Sequence, residues 1–255
     1  MSAAPLAGRT AWVTGAGSGI GDATAIALAR AGARLALSGR RQAPLDEVAA
    51  KIRAAGGEAH VAPMDHGVPG QVDAARDAVL AALGRLDILV SNAGANLIDR
   101  HWDTMDAAKI RMMIDANLTG NFYVAAACLP QMRKQGGGLM VHTASWAGRH
   151  VGYLSGPTYV AAKHGLVAMS ATINLEEGRH NIRSTCICPG EVATPILRHR
   201  PQPLTQDELD RLLQAEDVAA AILYVATQPA RVCVNEILIS PTFNRGYLAQ
   251  LGKAG

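Results

Sequence analysis

Tyr159 and Lys163 lie four residues apart in Tyr159-Val160-Ala161-Ala162-Lys163, a spacing that puts two side chains on one face of a helix. Upstream, Ser145 follows an apolar run, Leu139-Met140-Val141-His142-Thr143-Ala144. Near the start, glycines crowd the stretch Thr14-Gly15-Ala16-Gly17-Ser18-Gly19-Ile20-Gly21. A free tyrosine, with a pKa of ~10, moves protons poorly at neutral pH. A neighbouring ammonium favours the phenolate and brings the group toward the range of general acid–base work. The strict Gly-x-Gly-x-x-Gly spacing is not met. Gly15, Gly19 and Gly21 still leave backbone bare enough for a pyrophosphate at a helix N-terminus. The residue types point to a phosphate-binding turn and a proton-moving tyrosine.

The elements that must position these groups alternate along the chain. Strand-like runs occur at Thr10–Thr14, Arg34–Ser38, Ala59–Pro63, Leu86–Val90, Leu139–Thr143, Ile182–Cys188 and Glu236–Ile239. Helical patterns fall at Ile20–Ala31, Leu45–Ala55, Val72–Leu83, Ala107–Ala116, Gly120–Lys134, Thr158–Gly178 and Val218–Ala226. This alternation predicts an α/β fold, a Rossmann-type doubly wound parallel sheet of about seven strands with helices on both faces. Ligands of such sheets bind beyond the strands' carboxyl ends. The glycine turn, Asn92, Ser145 and Pro189-Gly190 each follow a strand and should meet on one rim. No linker or repeat divides the chain, so residues 1–255 read as one domain. A looser stretch at about 191–217 carries Pro195, Pro201, Pro203 and the basic run Arg198-His199-Arg200. It reads as a lid over the site or as a surface excursion.

The second strand bears on cofactor choice. Proteins that bind NAD place an acid about 20 residues past the glycines to hold the ribose hydroxyls. No acid occurs between Asp22 and Asp46, and the strand ends Leu37-Ser38-Gly39-Arg40-Arg41. A guanidinium grips a phosphate through paired hydrogen bonds. The expectation is NADP(H), held through Arg40 and Arg41; a solvated basic turn is the alternative.

Composition bounds the rest. A net charge of +3, no block of like charge and 4% aromatics argue against a nucleic-acid surface. No apolar run reaches the ~20 residues of a membrane helix, and no leader pattern is visible, so the reading is a soluble, cytoplasmic protein. Cys128, Cys186, Cys188 and Cys233 form no Cys-x-x-Cys pair and read as core thiols, with no metal site.

Together the motifs Thr14-Gly15-x-x-x-Gly19-Ile20-Gly21, Asn92-Ala93-Gly94, Asn117, Ser145, Tyr159-x-x-x-Lys163 and Pro189-Gly190 resemble the short-chain dehydrogenase/reductase family over nearly the whole length. The resemblance implies hydride transfer between a nicotinamide and a carbonyl or secondary alcohol. Tyr159 would be the general acid or base, and Ser145 would hydrogen-bond the substrate oxygen. Lys163 would bind the nicotinamide ribose and tune Tyr159, and Asn117 would hold a proton-relaying water. Gly15, Ser18, Gly19, Ile20 and Gly21 would hold the pyrophosphate. Asp65 would meet the adenine, and Asn92-Ala93-Gly94 the adenosine ribose. Pro189, Gly190, Val192 and Thr194 would line the nicotinamide. Trp146, His150, Tyr153 and Leu154, with Glu191, Ile196 and Leu197, would stand near the substrate. A homotetramer through the two long helices is implied as well. Departures from the family pattern are His66 after Asp65, Ser91 before Asn92, and the ending Val234–Thr242 without paired glycines. The readings set against an NADP(H) reductase are an NAD-linked alcohol dehydrogenase and a cofactor-binding sensor or scaffold without turnover.

Overall fold

A computed structural model describes residues 4–195, 197, 204–245, 247 and 248. Its sheet has seven strands: β1 Thr10–Thr14, β2 Arg34–Ser38, β3 Ala59–Val61, β4 Ile88–Ser91, β5 Gly138–Thr143, β6 Ile182–Pro189 and β7 Glu236–Ile239. They are parallel in the order β3-β2-β1-β4-β5-β6-β7. The central strands read as near-continuous apolar runs because helices cover both faces; every residue of β1 and β4 is buried.

On one face lie α1 (Gly19–Arg30), α2 (Gln42–Ala54) and α8 (Ala215–Ala226), which bury Leu28, Leu45, Val48, Ile52 and Ile222 against Val13, Leu35 and Val141. On the other lie α3 (Pro69–Leu83), α5 (Gly120–Lys134) and α6 (Pro157–Glu177), with Val72, Val79, Val124, Met132, Leu166 and Ile173 against Trp12, Leu89 and Met140. Burial of each such aliphatic side chain contributes about 2 kcal/mol. The Trp12 indole N–H, fully buried, donates to Ser38 Oγ at 2.8 Å. At the opposite end of the strands from the glycine turn, buried Asp87 accepts from Thr10 N at 2.9 Å and from Arg85 and Arg9.

Boundaries shift for identifiable reasons. β3 stops at Val61, short of the expected Pro63; beyond it only Ala62 N and Met64 N still donate to β2's side, to Leu37 O at 2.9 Å and Gly39 O at 3.0 Å, and Pro63 sits at the sheet's edge. α8 begins at Ala215, ahead of the expected Val218, through a capping box between Gln214 and Asp217. The two helices expected at 107–116 and 120–134 are one run: α4 (Ala107–Ile114) passes through a π-helical segment, Asp115–Thr119, into α5. π-bulges of this kind are frequent at functional sites.

The looser stretch closes on itself. Val192 bridges Leu213, Ala193 N donates to Leu213 O at 2.7 Å, and a short helix α7 (Gln206–Asp210) lies between. Ile196, the run Arg198-His199-Arg200, Pro201 and Pro203 fall outside the described residues. Cys128, Cys186 and Cys188 are buried, but Cys233 is exposed, since it precedes β7 beside Asn174 rather than under a helix. No helix among the described residues is long and apolar enough to cross a membrane, and no His, Cys, Asp and Glu there gather as a metal site.

Candidate active site

The carboxyl ends of β1 and β4 open into a cavity of about 1550 Å³ that runs from Arg40 to Tyr247. Its floor at one end is the glycine turn. Gly15 and Gly19 have φ of 63° and 57°, left-handed backbone that suits glycine. A Cβ on Gly15 would come to 3.0 Å from Ala93 Cα, and one on Gly21 would overlap the Gly15 carbonyl oxygen. Thr14 Oγ1 accepts from Asn92 N at 3.1 Å and Ala93 N at 3.2 Å, which locks the ends of β1 and β4 together. Gly15, Ser18, Gly19 and Ile20 line the cavity where α1 begins; Gly21 does not, and acts by letting α1 pack down onto Gly15. A bare, positively curved turn at a helix N-terminus fits a dinucleotide pyrophosphate.

Arg40 and Arg41 line the same end and make no ion pair among the described residues. Asp65 lines it too, with one carboxylate oxygen accepting from Gly67 N at 2.9 Å. Beside it, His66 donates from Nε2 to the Ala116 carbonyl at 2.9 Å, and its ring fills the space a Cβ on Gly120 would need. Burial lowers the His66 pKa, so the ring is neutral at pH 7. His66 thereby ties the far wall to the π-helical segment that carries Asn117.

Asn117 is fully buried. Its Nδ2 donates to Ala95 O and Met113 O, both at 2.9 Å, and its Oδ1 accepts from Ala95 N at 3.2 Å. The side chain thus pins the loop after Asn92-Ala93-Gly94. A Cβ on Gly94 would sit 2.9 Å from Asn117 Oδ1 and 3.5 Å from Lys163 Nζ, so only glycine fits between them.

Ser145 follows β5, and Tyr159 and Lys163 stand in the first turns of α6, whose entry is set by Pro157. Ser145 Oγ accepts from Ala147 N at 3.1 Å, and the Ser145 side chain favours the Tyr159 anion. Lys163 Nζ donates to Thr143 O at 2.9 Å and lies 5.5 Å from the centre of the Tyr159 ring. The electrostatic balance differs from the expectation that Lys163 pulls the phenol down. Burial pushes Tyr159 above its ordinary value, opposed by Ser145 and by the charge of Arg100. Burial also lowers Lys163 to about 8. Arg100 is buried, lines the cavity, and was not singled out by the sequence, because it lies in a patternless loop between β4 and α4.

Pro189, Gly190, Val192 and Thr194 form the wall opposite Asn92, and Thr194 packs on Gly19. Trp146, His150, Tyr153, Leu154, Glu191 and Leu197 line the end beyond Ser145 and Tyr159. Asn244 and Tyr247 from the chain's end join them, which no sequence motif announced.

The short chain dehydrogenase family model matches residues 9–204. An uncharacterised oxidoreductase of Staphylococcus epidermidis is 33% identical over 240 residues, 91% of this chain and 97% of the relative. Among solved structures, a metagenomic short-chain oxidoreductase in complex with NADP superposes with a TM-score of 0.81 at 31% identity, over 94% of this chain and 99% of that one. A 7α-hydroxysteroid dehydrogenase complexed with NADH and 7-oxo glycochenodeoxycholic acid gives 0.84 at 28% identity, over 92% and 94%. With the glycine turn, Asn117, Ser145, Tyr159 and Lys163 gathered on one cavity, the chain is an oxidoreductase that belongs to the short chain dehydrogenase family.

Proposed function

We propose that the protein is an NADP(H)-preferring oxidoreductase that interconverts a carbonyl and a secondary alcohol, CH–OH, with Tyr159 as general acid and base. The observation that carries this reading is the placement of Ser145, Tyr159 and Lys163 on the cavity that also holds the glycine turn, with Lys163 Nζ 5.5 Å from the centre of the Tyr159 ring. When bound, NADPH supplies the hydride for carbonyl reduction. In that direction Tyr159 donates its proton to the substrate oxygen while Ser145 holds that oxygen by a hydrogen bond. In oxidation the Tyr159 phenolate accepts the alcohol proton. Lys163 binds the nicotinamide ribose, and its ammonium loses its proton as pH passes about 8. Asn117 keeps the floor beneath Lys163 in place and holds a water that returns protons to it.

NADP(H) rather than NAD(H) follows from Arg40 and Arg41 at the end of β2, where no acid meets the ribose. The Gly15–Gly21 cradle, Asp65 and Asn92-Ala93-Gly94 complete the binding site; Pro189, Gly190, Val192 and Thr194 flank the nicotinamide. The partner is thus a small carbonyl or alcohol substrate, with no nucleic acid or membrane. A cytoplasmic homotetramer is part of the same reading. α5 and α6 leave Phe122 and Leu175 exposed, at 47% and 84%, on the helices through which such an assembly would form.

NADPH and NADH consumption against a panel of ketones and aldehydes tests the reading. Turnover should favour NADPH and fall at least about 1000-fold in Tyr159→Phe, the loss expected of a principal proton donor. Arg40→Ala should raise the KM for NADPH and leave that for NADH nearly unmoved. Tight NADPH binding without turnover of any carbonyl would favour the sensor, and an NADH preference the NAD-linked dehydrogenase.

A further inference from the structure

The end of the cavity beyond Ser145 is built of rings in a chain that has few. Phe, Trp and Tyr make up 4% of the residues, yet Trp146, Tyr153, Tyr159 and Tyr247 all line this cavity. Trp146 stacks on His150 with ring centres 4.3 Å apart and meets Tyr247 edge-on at 5.6 Å. Because Trp146 directly follows Ser145, this cluster stands beside the place where the substrate oxygen must sit.

Tyr247 comes from the segment after β7, and that segment is anchored. Arg245 Nε and Nη2 donate to the two Glu191 carboxylate oxygens at 2.8 and 2.9 Å, and Glu208 of α7 lies 3.5 Å from Nη1. The Arg211 guanidinium also lies 5.0 Å from the centre of the Phe243 ring. Glu191 directly follows Gly190, so the pair joins the end of the chain to the wall of the site.

Among the described residues, the arginines near this end are engaged. Arg245 is held by Glu191, Arg149 by Glu236, and Arg100 turns toward the Ile98 and Leu154 carbonyls at 3.4 Å. The chemistry offered to a substrate here is therefore ring faces and edges more than charge. Aromatic pairs with centres ~4.5–7 Å apart attract one another beyond what area burial gives, through edge-to-face and offset-stacked contacts. A flat ring also surrenders less rotamer freedom on binding than an alkyl chain of equal size.

We propose, resting on the reductase reading above, that Trp146, His150 and Tyr247 form a specificity pocket for substrates whose carbonyl or carbinol carbon bears a flat apolar ring. Arg245 is the positioning residue that sets its third wall through Glu191.

The test compares acetophenone with 2-octanone, methyl ketones of equal carbon number, using NADPH. The expected kcat/KM ratio favours acetophenone by about tenfold, which is 1.4 kcal/mol. Tyr247→Ala and Arg245→Ala should each lower that ratio about fivefold, and Tyr247→Phe should preserve it. Tyr247 is 53% exposed, so its truncation leaves the core intact. Saturation-transfer NMR of acetophenone on the NADPH-loaded Tyr159→Phe protein, with and without Tyr247→Ala, reads the pocket independently of turnover. Equal or better use of 2-octanone, or a ratio unmoved by Tyr247→Ala, overturns the pocket while the turnover itself upholds the reductase. No turnover of either ketone, with acetophenone contacts that weaken in Tyr247→Ala, upholds the pocket and counts against the reductase reading. No turnover and no such weakening overturns the pocket as well.

Discussion

Tyr159 shows how little a residue pair says about its own proton affinity. The Tyr-x-x-x-Lys spacing places both side chains on one face of α6, but burial of the phenol raises its pKa while Ser145 and Arg100 pull it back. Arg100 is thus an electrostatic neighbour of this phenol, supplied by a loop remote in sequence. Replacing it with methionine removes a cation that favours the phenolate. The phenol then holds its proton to higher pH, so the rising limb of alcohol oxidation against pH should move in the alkaline direction; a profile that stays in place would deny Arg100 this influence.

At the scale of elements, the turn between β1 and α1 depends on close approach. Gly21→Ala would drive a methyl into the Gly15 carbonyl and push α1 off the turn. Overpacking of this kind costs about 1–3 kcal/mol. The variant should melt several degrees lower and bind NADPH at least about tenfold more weakly in a fluorescence titration.

β5 carries a different liability. His142 is fully buried between Ser91 of β4 and Cys186 of β6, and neither ring nitrogen has a hydrogen-bond partner among the described residues. Burial lowers its pKa to about 4. The unfolded chain takes up the proton near pH 6.5 and the folded one only near 4. Folding stability is therefore lost as pH falls through that window, by about 3 kcal/mol in all. His142→Leu should remove this contribution. Urea unfolding at pH 7 and pH 5 would show it as a smaller difference between the two midpoints than in the parent.

Across the whole molecule, the active rim is held from below. Asp87 ties β4 to β1 through Thr10 and draws in Arg85 and Arg9 at the far end of the sheet. Burial alone would raise its pKa, but hydrogen bonds from Arg85 and Thr10 and the Arg9 contact outweigh it and leave the carboxyl below its ordinary value. Its contribution is present at neutral pH and lost as pH falls through that lowered pKa. Asp87→Ala strands the Thr10 donors, at a cost of about 1–3 kcal/mol. The urea midpoint should fall, with any effect on kcat/KM following only from the loss of folded protein.

The order of strands and helices, the glycine turn, Arg40 and the Ser145–Tyr159–Lys163 set were legible because each depends on local chemistry. Alternating apolar runs declare strands, glycine permits backbone that other residues resist, and a four-residue spacing fixes a helix face. What reached beyond local chemistry was hidden. Only the folded chain sets His66 against Gly120 and the π-helical segment, brings Arg100 to Tyr159, and returns Tyr247 to Trp146 across a hundred residues. Such contacts leave no periodic trace, since neither partner needs the other's residue type to form its own element. The sequence by itself determined the sheet, the glycine turn and the Tyr159–Lys163 pair. The tertiary structure alone decided the electrostatic setting of that pair and the rings gathered on the same cavity, because desolvation and packing belong to neighbours in space.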